Sequence, residues 1–360
     1  LGRAAPSDDE ILLLRAAIAR PEHAEDAWMT WRARSDLDSA DGRAAELFPS
    51  IAASLGPTAL GADEPRLRGL RYRTWVKNEL TLESLAMALD AVQPVVSPPL
   101  VFKGARVVSE VVDRHGVRPM ADADLLIDSD VHAAAVDRLQ RAGWTTTANW
   151  VHATDMADPA GRRLDVHRWI LFPRYTRTPS TAWSARSRRA DIDGRPVRFL
   201  DPADELVLAI VHGVMSSGHS NVRWPLDAEA LLAADGVPGP PDWDLVVRSA
   251  GEIGVGPIVA AACSFLTDDL GLAIPPAAVE QLDRLPMDRL LRYQWARRRS
   301  GRFPTARVRH YVDLQRAAGR TPTLHGYVSQ RYEAFREHGR SLVVRNRVRN
   351  LRRRVARPPG

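Results

Sequence analysis

The sequence predicts an α+β protein: a small mixed β-sheet core flanked by N-terminal and C-terminal helical regions. Three observations carry this. Apolar residues recur at helical spacing before Pro94, strands alternate with turn signals between Leu100 and Leu200, and helical spacing returns after Asp201–Pro202. At 360 residues the chain has room for two or three domains of about 150 each. Its 45% hydrophobic and 26% charged residues exclude general disorder, collagen and a disulfide scaffold. The single cysteine, Cys263, permits no intrachain disulfide and sits in an apolar helical run that reads as core. No run of about 18 apolar residues and no signal peptide is present, so the expected location is cytoplasmic, away from membranes.

Residues 1–96 form the first helical region. Ile11 to Ala19 places Leu12, Leu13, Ala16 and Ala17 for an apolar face, with Asp8 and Asp9 near its start. Leu67 to Val92 continues with Leu70, Trp75, Leu80, Leu85 and Leu89, uninterrupted by proline. Pro94, Pro98 and Pro99 close the region.

Residues 97–200 form the α+β core, in β-α-β-α-β-β order with one further short strand. Leu100–Phe102 is a short strand ending at Lys103–Gly104, followed by a helix from Ala105 to Val112. After the turn at His115–Pro119, Met120 to Ile127 reads as a strand and Val131 to Arg141 as an amphipathic helix stopped near Gly143. Trp144 to His152 and Arg163 to Ile170 are strands separated by the turn Asp158–Pro159–Ala160–Gly161. Val197 to Leu200 is the further strand, after the Asp193–Gly194 turn.

Residues 201–300 form a helical domain, with Asp201 as N-cap and Pro202 at the first helical position. Helices are expected near Ala203–Val214, Val222–Ala234, Trp243–Ala250, Ile258–Leu270 and Met287–Arg299. Residues 301–360 read as a basic helical extension.

The charge is uneven. Of the 50 basic residues only Lys77 and Lys103 are lysine, so a single arginine is weak evidence and each lysine stands out. Residues 301–360 hold 15 arginines against Asp313, Glu333 and Glu337, a net +12, which leaves −6 for the first 300 residues (6 − 12). The run Arg345 to Arg354 is a place where RNA or an acidic partner could bind, though no aromatics interleave it for base stacking. A solvated helix end is the alternative.

The chain holds 30 aspartates and five Asp-x-Asp triplets, against about two or three by chance. Only Asp122–Ala123–Asp124 runs directly into an apolar strand, Leu125–Leu126–Ile127. Strand alternation puts both carboxylates on one face, roughly 6.5–7 Å apart at Cα. Two acids so placed repel unless a cation lies between them, and hard oxygen ligands suit Mg2+ or Mn2+. Asp165, on a later strand with His167 on the same face, is a third carboxylate. An edge strand with solvated charges remains the alternative on these residues alone.

Taken in order, Leu100-Val-Phe-Lys-Gly-Ala, Arg118-Pro-Met-Ala-Asp-Ala-Asp-Leu-Leu-Ile and Leu164-Asp-Val-His-Arg-Trp resemble the uncharacterised bacterial nucleotidyltransferase family of the polymerase-β-like superfamily. The stretch from His212 through Arg223–Trp224–Pro225–Leu226–Asp227 resembles that family's downstream helical motif. The superfamily's usual Gly-Gly or Gly-Ser ahead of the first helix is Lys103–Gly104 here, and Ala123 replaces a larger apolar residue.

The resemblance implies a nucleotidyltransferase core, a metal-dependent enzyme that moves a nucleoside monophosphate from a triphosphate, ATP first among them, to an acceptor hydroxyl. Asp122, Asp124 and Asp165 would be the metal-holding catalytic acids. Lys103, Gly104 and Arg118 would bind the nucleotide, with Arg118 either on the triphosphate or paired to Asp122. His167, His212, Arg223 and Asp227 are pocket candidates, with His219 nearby, and the helical domain would cover the acidic face. A small molecule, a peptide or a protein could be the acceptor. A non-catalytic protein that binds a nucleotide or a partner is the main alternative. A metal-dependent glycosyltransferase, which also uses Asp-x-Asp, fits poorly because helices rather than a parallel sheet precede the triplet.

Overall fold

The structure is a computed structural model describing residues 1–18, 21–96, 98–110, 115–171, 181–215, 222–233, 239–301, 311–312, 315 and 320–329. Leu1–Phe303 form one compact unit and Pro304–Gly360 a second. In the second unit residues 324–329 are helical, and the Tyr311 and Tyr327 rings meet edge-on at 5.4 Å. The basic run from Arg345 and His219 both lie outside the described residues. Among those residues, no helix is long and apolar enough to cross a membrane.

The first unit begins with α1 (Asp8–Ile18), α2 (Pro21–Arg32), α3 (Phe48–Ser54), the single turn α4 (Pro57–Leu60) and α5 (Glu64–Val92). Sequence periodicity anticipates α1 and α5 but not α2 or α3. Those two depend on tertiary packing: Trp28 and Trp31 stack at 5.4 Å, and Trp31 meets Phe48 edge-on at 5.8 Å. The 29-residue α5 has two different halves. Its C-terminal half buries Leu82, Leu85, Leu89 and Val92, whereas most of its N-terminal half stays in water.

The core then runs β1 (Leu100–Phe102), α6 (Lys103–Glu110), β2 (Asp122–Leu126), α7 (His132–Arg141), β3 (Thr145–Asn149), β4 (Ala153–Ala157), β5 (Arg163–His167), α8 (Thr181–Ala185), β6 (Arg188–Ile192) and β7 (Arg195–Phe199). These strands make one mixed sheet in the order β3-β4-β5-β2-β1-β7-β6. β2 lies parallel to β5 and antiparallel to β1, which is parallel to β7. The α+β class with helical flanks is therefore as the sequence predicts. β4 and β6 are not anticipated: Ala153-Thr-Asp-Met-Ala and Arg188-Arg-Ala-Asp-Ile are poor in β-branched and aromatic residues, and their neighbours' ladders hold them extended. The single strand expected over Trp144 to His152 instead ends at Asn149 and turns back as β4.

The Asp158–Gly161 turn forms as expected. The buried Asp158 carboxylate accepts the Ala160 and Arg162 backbone N–H groups, the Arg162 Nε–H and the Ser84 hydroxyl of α5.

Helices α9 (Pro202–Met215), α10 (Trp224–Leu232), α11 (Trp243–Glu252), α12 (Gly256–Asp268), α13 (Pro276–Arg284) and α14 (Arg289–Arg299) complete the unit. Asp201 caps α9 by accepting the Ala203 N–H at 2.9 Å. α9 is buried around nearly its whole circumference because it lies in the middle of the core. Trp224 of α10 packs directly on Gly213 of α9, a place with no room for a Cβ. Cys263 is a buried core thiol, pushed up to about 12 by burial.

The sheet separates two cores. Val101, Ala123, Leu125, Leu164 and Val166 pack on α5 and α7, while Leu100, Phe102 and Leu126 join the core built on α9 and the first helices. The polar residues that alternate with the first set face the α9–α10 side.

Candidate active site

Strand alternation sends Asp122 and Asp124 of β2 to the side opposite buried Ala123 and Leu125. The parallel register then sets Asp124 beside Asp165 and Leu126 beside His167. The antiparallel register on the far side of β5 places Asp155 against Asp165. Asp122, Asp124 and Asp165, three acids from two chain segments, line one pocket with Lys103, Gly104, Arg118, Glu205, His212, Arg223, Trp224 and Asp227. His167 stands just behind it, bonded to Asp124.

The inner end of this pocket is tightly wired. Lys103 Nζ donates to Asp124 Oδ1 at 2.5 Å, and His167 Nε2 lies 2.8 Å from the same oxygen and 3.3 Å from Nζ. Burial would push the Asp124 carboxyl up, but the Lys103 charge and His167 offset it and hold it well below the carboxylate range. Burial and the Lys103 charge lower His167, whose ring meets Phe102 edge-on at 5.1 Å. Asp165 is the opposite case. Burial and the Asp124 and Asp122 charges push it up to about 7. Its Oδ1 is buried with no hydrogen-bond partner, and the Arg163 guanidinium comes no closer than 3.9 Å. Burial and Asp124 raise Asp122 too.

Raised acids beside an orphaned buried oxygen mark a site short of positive charge. Donor atoms of Asp124, Asp165 and His167 all lie within 4.8 Å of one another. Carboxylate oxygens with one imidazole nitrogen suit a divalent ion, so these residues fit the expected metal. His167, a pocket candidate from the sequence, thus stands among the potential ligands, with Asp122 two residues from Asp124 on the same strand face.

Lys103 also begins α6, at a φ of 55° in the left-handed region. That conformation costs of order 1 kcal/mol for a residue with a Cβ. It is held by Glu205 of α9, whose Oε1 accepts the Lys103 N–H at 2.8 Å. Glu205 is buried and pushed up to about 7, with burial the main cause. Gly104 is needed for a reason the sequence does not reveal. A Cβ there would fall within 3.0 Å of the Arg118 guanidinium carbon. Arg118 itself pairs neither with Asp122 nor with a strand residue: its Nε and Nη2 donate to Asp227 Oδ1 and Oδ2 at 2.6 and 2.8 Å. Burial works against the Arg118 charge, yet Asp227 holds its pKa above the ordinary value.

The remaining candidates form the helical wall. Burial and the Lys103 charge push His212 down to about 3, so this histidine is neutral. Arg223 bonds to Glu46 at 3.3 Å and to the Pro119 carbonyl at 3.3 Å. Two contributors escape the sequence reading: Glu205 and Asn78. Asn78, fully buried on α5, donates to the His115 and Arg118 carbonyls and accepts the Met120 N–H, which fixes the loop entering β2. For Glu205 a signal existed, because Glu205, Ala209 and His212 recur at four and three residues on one face of α9.

A profile of the uncharacterised nucleotidyltransferase family matches residues 43–268. The chain belongs to that family. The match takes in the complete sheet, α9, α10 and the end of α12, and so every residue of the pocket. No curated protein and no solved structure matches the chain. Within this nucleotidyltransferase family member, the expected site residues come from the start of α6, the loop entering β2, β2, β5, α9 and the start of α10.

Proposed function

We propose that the chain is a metal-dependent nucleotidyltransferase that moves a nucleoside monophosphate from a triphosphate, ATP first among them, to the hydroxyl of a small molecule, peptide or protein. One observation carries the reading. Asp165, with its buried orphan oxygen, stands in register beside Asp124 inside an acid-rich pocket, with Lys103, Arg118 and Arg223 in its wall, on a nucleotidyltransferase-family sheet. Asp122, Asp124 and Asp165 would hold Mg2+ or Mn2+, with His167 Nε2 as a further ligand. The bound ion would supply neutralisation of the triphosphate and a lowered acceptor pKa.

The chain's own groups do the rest. The α6 N-terminus offers backbone N–H groups to an anion, and Lys103 and Arg118 add charge beside it. Neutral His212 contributes hydrogen bonding without competing for the phosphates. Trp224, Val107 and Leu231 keep that wall apolar and exclude water. Asp165 accepts the proton of the acceptor hydroxyl as that hydroxyl oxygen bonds the α-phosphorus and the bond to pyrophosphate breaks. The cytoplasm, where triphosphates are kept, is the compartment this reading requires.

The test is pyrophosphate release and product mass spectrometry, using each triphosphate with magnesium and a cell extract as the acceptor source. Asp124→Asn and Asp165→Asn should each lower release at least about a hundredfold while circular dichroism stays native. Undiminished release in both variants rejects the assignment. Calorimetric binding of a triphosphate with no release from the unaltered chain favours the non-catalytic binding protein instead.

A further inference from the structure

We propose that the exposed face of the N-terminal half of α5 is a docking surface for single-stranded RNA, independent of the nucleotidyl-transfer reading. From Arg66 to Lys77 the helix carries five cations, Arg66, Arg68, Arg71, Arg73 and Lys77, and no acid. This stretch reverses the sign of a body that is otherwise acidic. Arg66 is paired with Asp38 and Arg68 with Glu64, whereas Arg71, Arg73 and Lys77 have no acidic partner among the described residues.

Two large aromatics stand among these cations. Tyr72 is 66% exposed and Trp75 45%, and their rings stack at 6.0 Å with planes 19° apart. Tyr72 lies four residues after Arg68, and Trp75 four after Arg71, so rings and guanidinium groups share one face. A helix whose other half is buried normally hides such rings as well; leaving both in water, stacked and ringed by cations with no acidic partner among the described residues, is a feature in want of an occupant.

The chemistry selects that occupant. Exposed arginines and a lysine match phosphates, and a flat ring pair extends a stack of unpaired bases. A duplex would use the cations but not the rings, because its bases are already stacked inside. An acidic peptide likewise gains little from two parallel ring faces. RNA is the nucleic acid that presents unpaired bases as a rule, in loops and single-stranded tails.

The experiment uses the full chain and a labelled oligouridylate of about 20 nucleotides, with binding read by fluorescence anisotropy between about 50 and 200 mM salt. The double variant Tyr72→Ala/Trp75→Ala should weaken binding roughly tenfold or more, with duplex binding unchanged. The triple variant Arg71→Gln/Arg73→Gln/Lys77→Gln should make the slope of log K against log salt shallower by about 2, near 0.7 per lost phosphate contact. All five side chains are exposed, so both variants should melt as the unaltered chain does. Equal oligouridylate binding by the unaltered chain and the aromatic double variant overturns the proposal and leaves the basic run near Arg345 as the binder. So does an absence of binding at the lowest salt, a tenfold preference for the matching single-stranded DNA, or tighter, ring-dependent binding of a polyglutamate peptide.

Discussion

The Lys103 ammonium sits 2.5 Å from Asp124 Oδ1 and 3.3 Å from His167 Nε2, within the same small volume that would serve a divalent ion. One of only two lysines in the chain thus acts as a tethered counter-ion for the central carboxylate. A metal has to displace it. Removing the tether should therefore expose Asp124 to metal: Lys103→Met should bind Mn2+ tighter than the unaltered chain when no nucleotide is present. In the presence of a triphosphate the order should invert if the released ammonium contacts the phosphates, as the proposed function requires. Titration calorimetry or the Mn2+ electron-spin signal, with and without a non-hydrolysable triphosphate, reads both effects. Equal Mn2+ affinity in both proteins would show that the ion pair does not compete.

Asp165 crowds against Asp124, Asp122 and Asp155 with no compensating hydrogen bond on its buried oxygen. Asp165→Asn removes like-charge repulsion as well as one of the groups that could hold a metal. In chelator at neutral pH the variant should melt about 2–4 °C higher than the unaltered chain, the shift that about 1 kcal/mol gives a domain of this order. Its Mn2+ binding should nevertheless be lost. A lower melting temperature would mean that the carboxylate has a stabilising partner.

The Arg118–Asp227 pair is buried and bidentate. Asp227→Asn leaves an uncompensated buried guanidinium and should cost about 3–5 kcal/mol in urea unfolding. Arg118→Met/Asp227→Leu should recover most of that loss, since no charge is then stranded. If Arg118 also binds the triphosphate, nucleotide affinity in this double variant should stay low despite the recovered stability. Restored affinity would assign Arg118 a purely structural role.

Asp158 offers a pH test away from the pocket. Burial opposes its charge, but hydrogen bonds from Arg162 and Ser84 hold the carboxyl below its usual range. A depressed folded pKa contributes stability that is present above the unfolded value of about 4 and lost as pH falls through the folded one. Asp158→Asn should therefore cost about 2 kcal/mol at pH 7. The gap between the two proteins should close as pH drops below about 4, and a gap that persists there would mean that packing rather than charge holds the turn.

Much of the site is legible locally. Asp122 and Asp124 could be assigned to one face because a strand alternates with period two, and Asp165 with His167 by the same rule. The Asp201–Pro202 helix start and the Asp158 turn depend on neighbours within a few residues. Asp227 as the partner of Arg118 was not legible, because the two are 109 residues apart and any of many acids could have filled the place. The same holds for Glu205 and Lys103, 102 residues apart.

By itself, then, the chain's sequence determined the α+β class, the acid-bearing strands and the faces they use, since each follows from backbone periodicity and local capping. Only the tertiary structure decided what neutralises those acids. It set Lys103 on Asp124, left a buried Asp165 oxygen without a hydrogen bond, and turned Arg118 toward α10. Ion pairing inside a protein is chosen by distance and desolvation, and both are properties of the packed fold rather than of the order of residues along it.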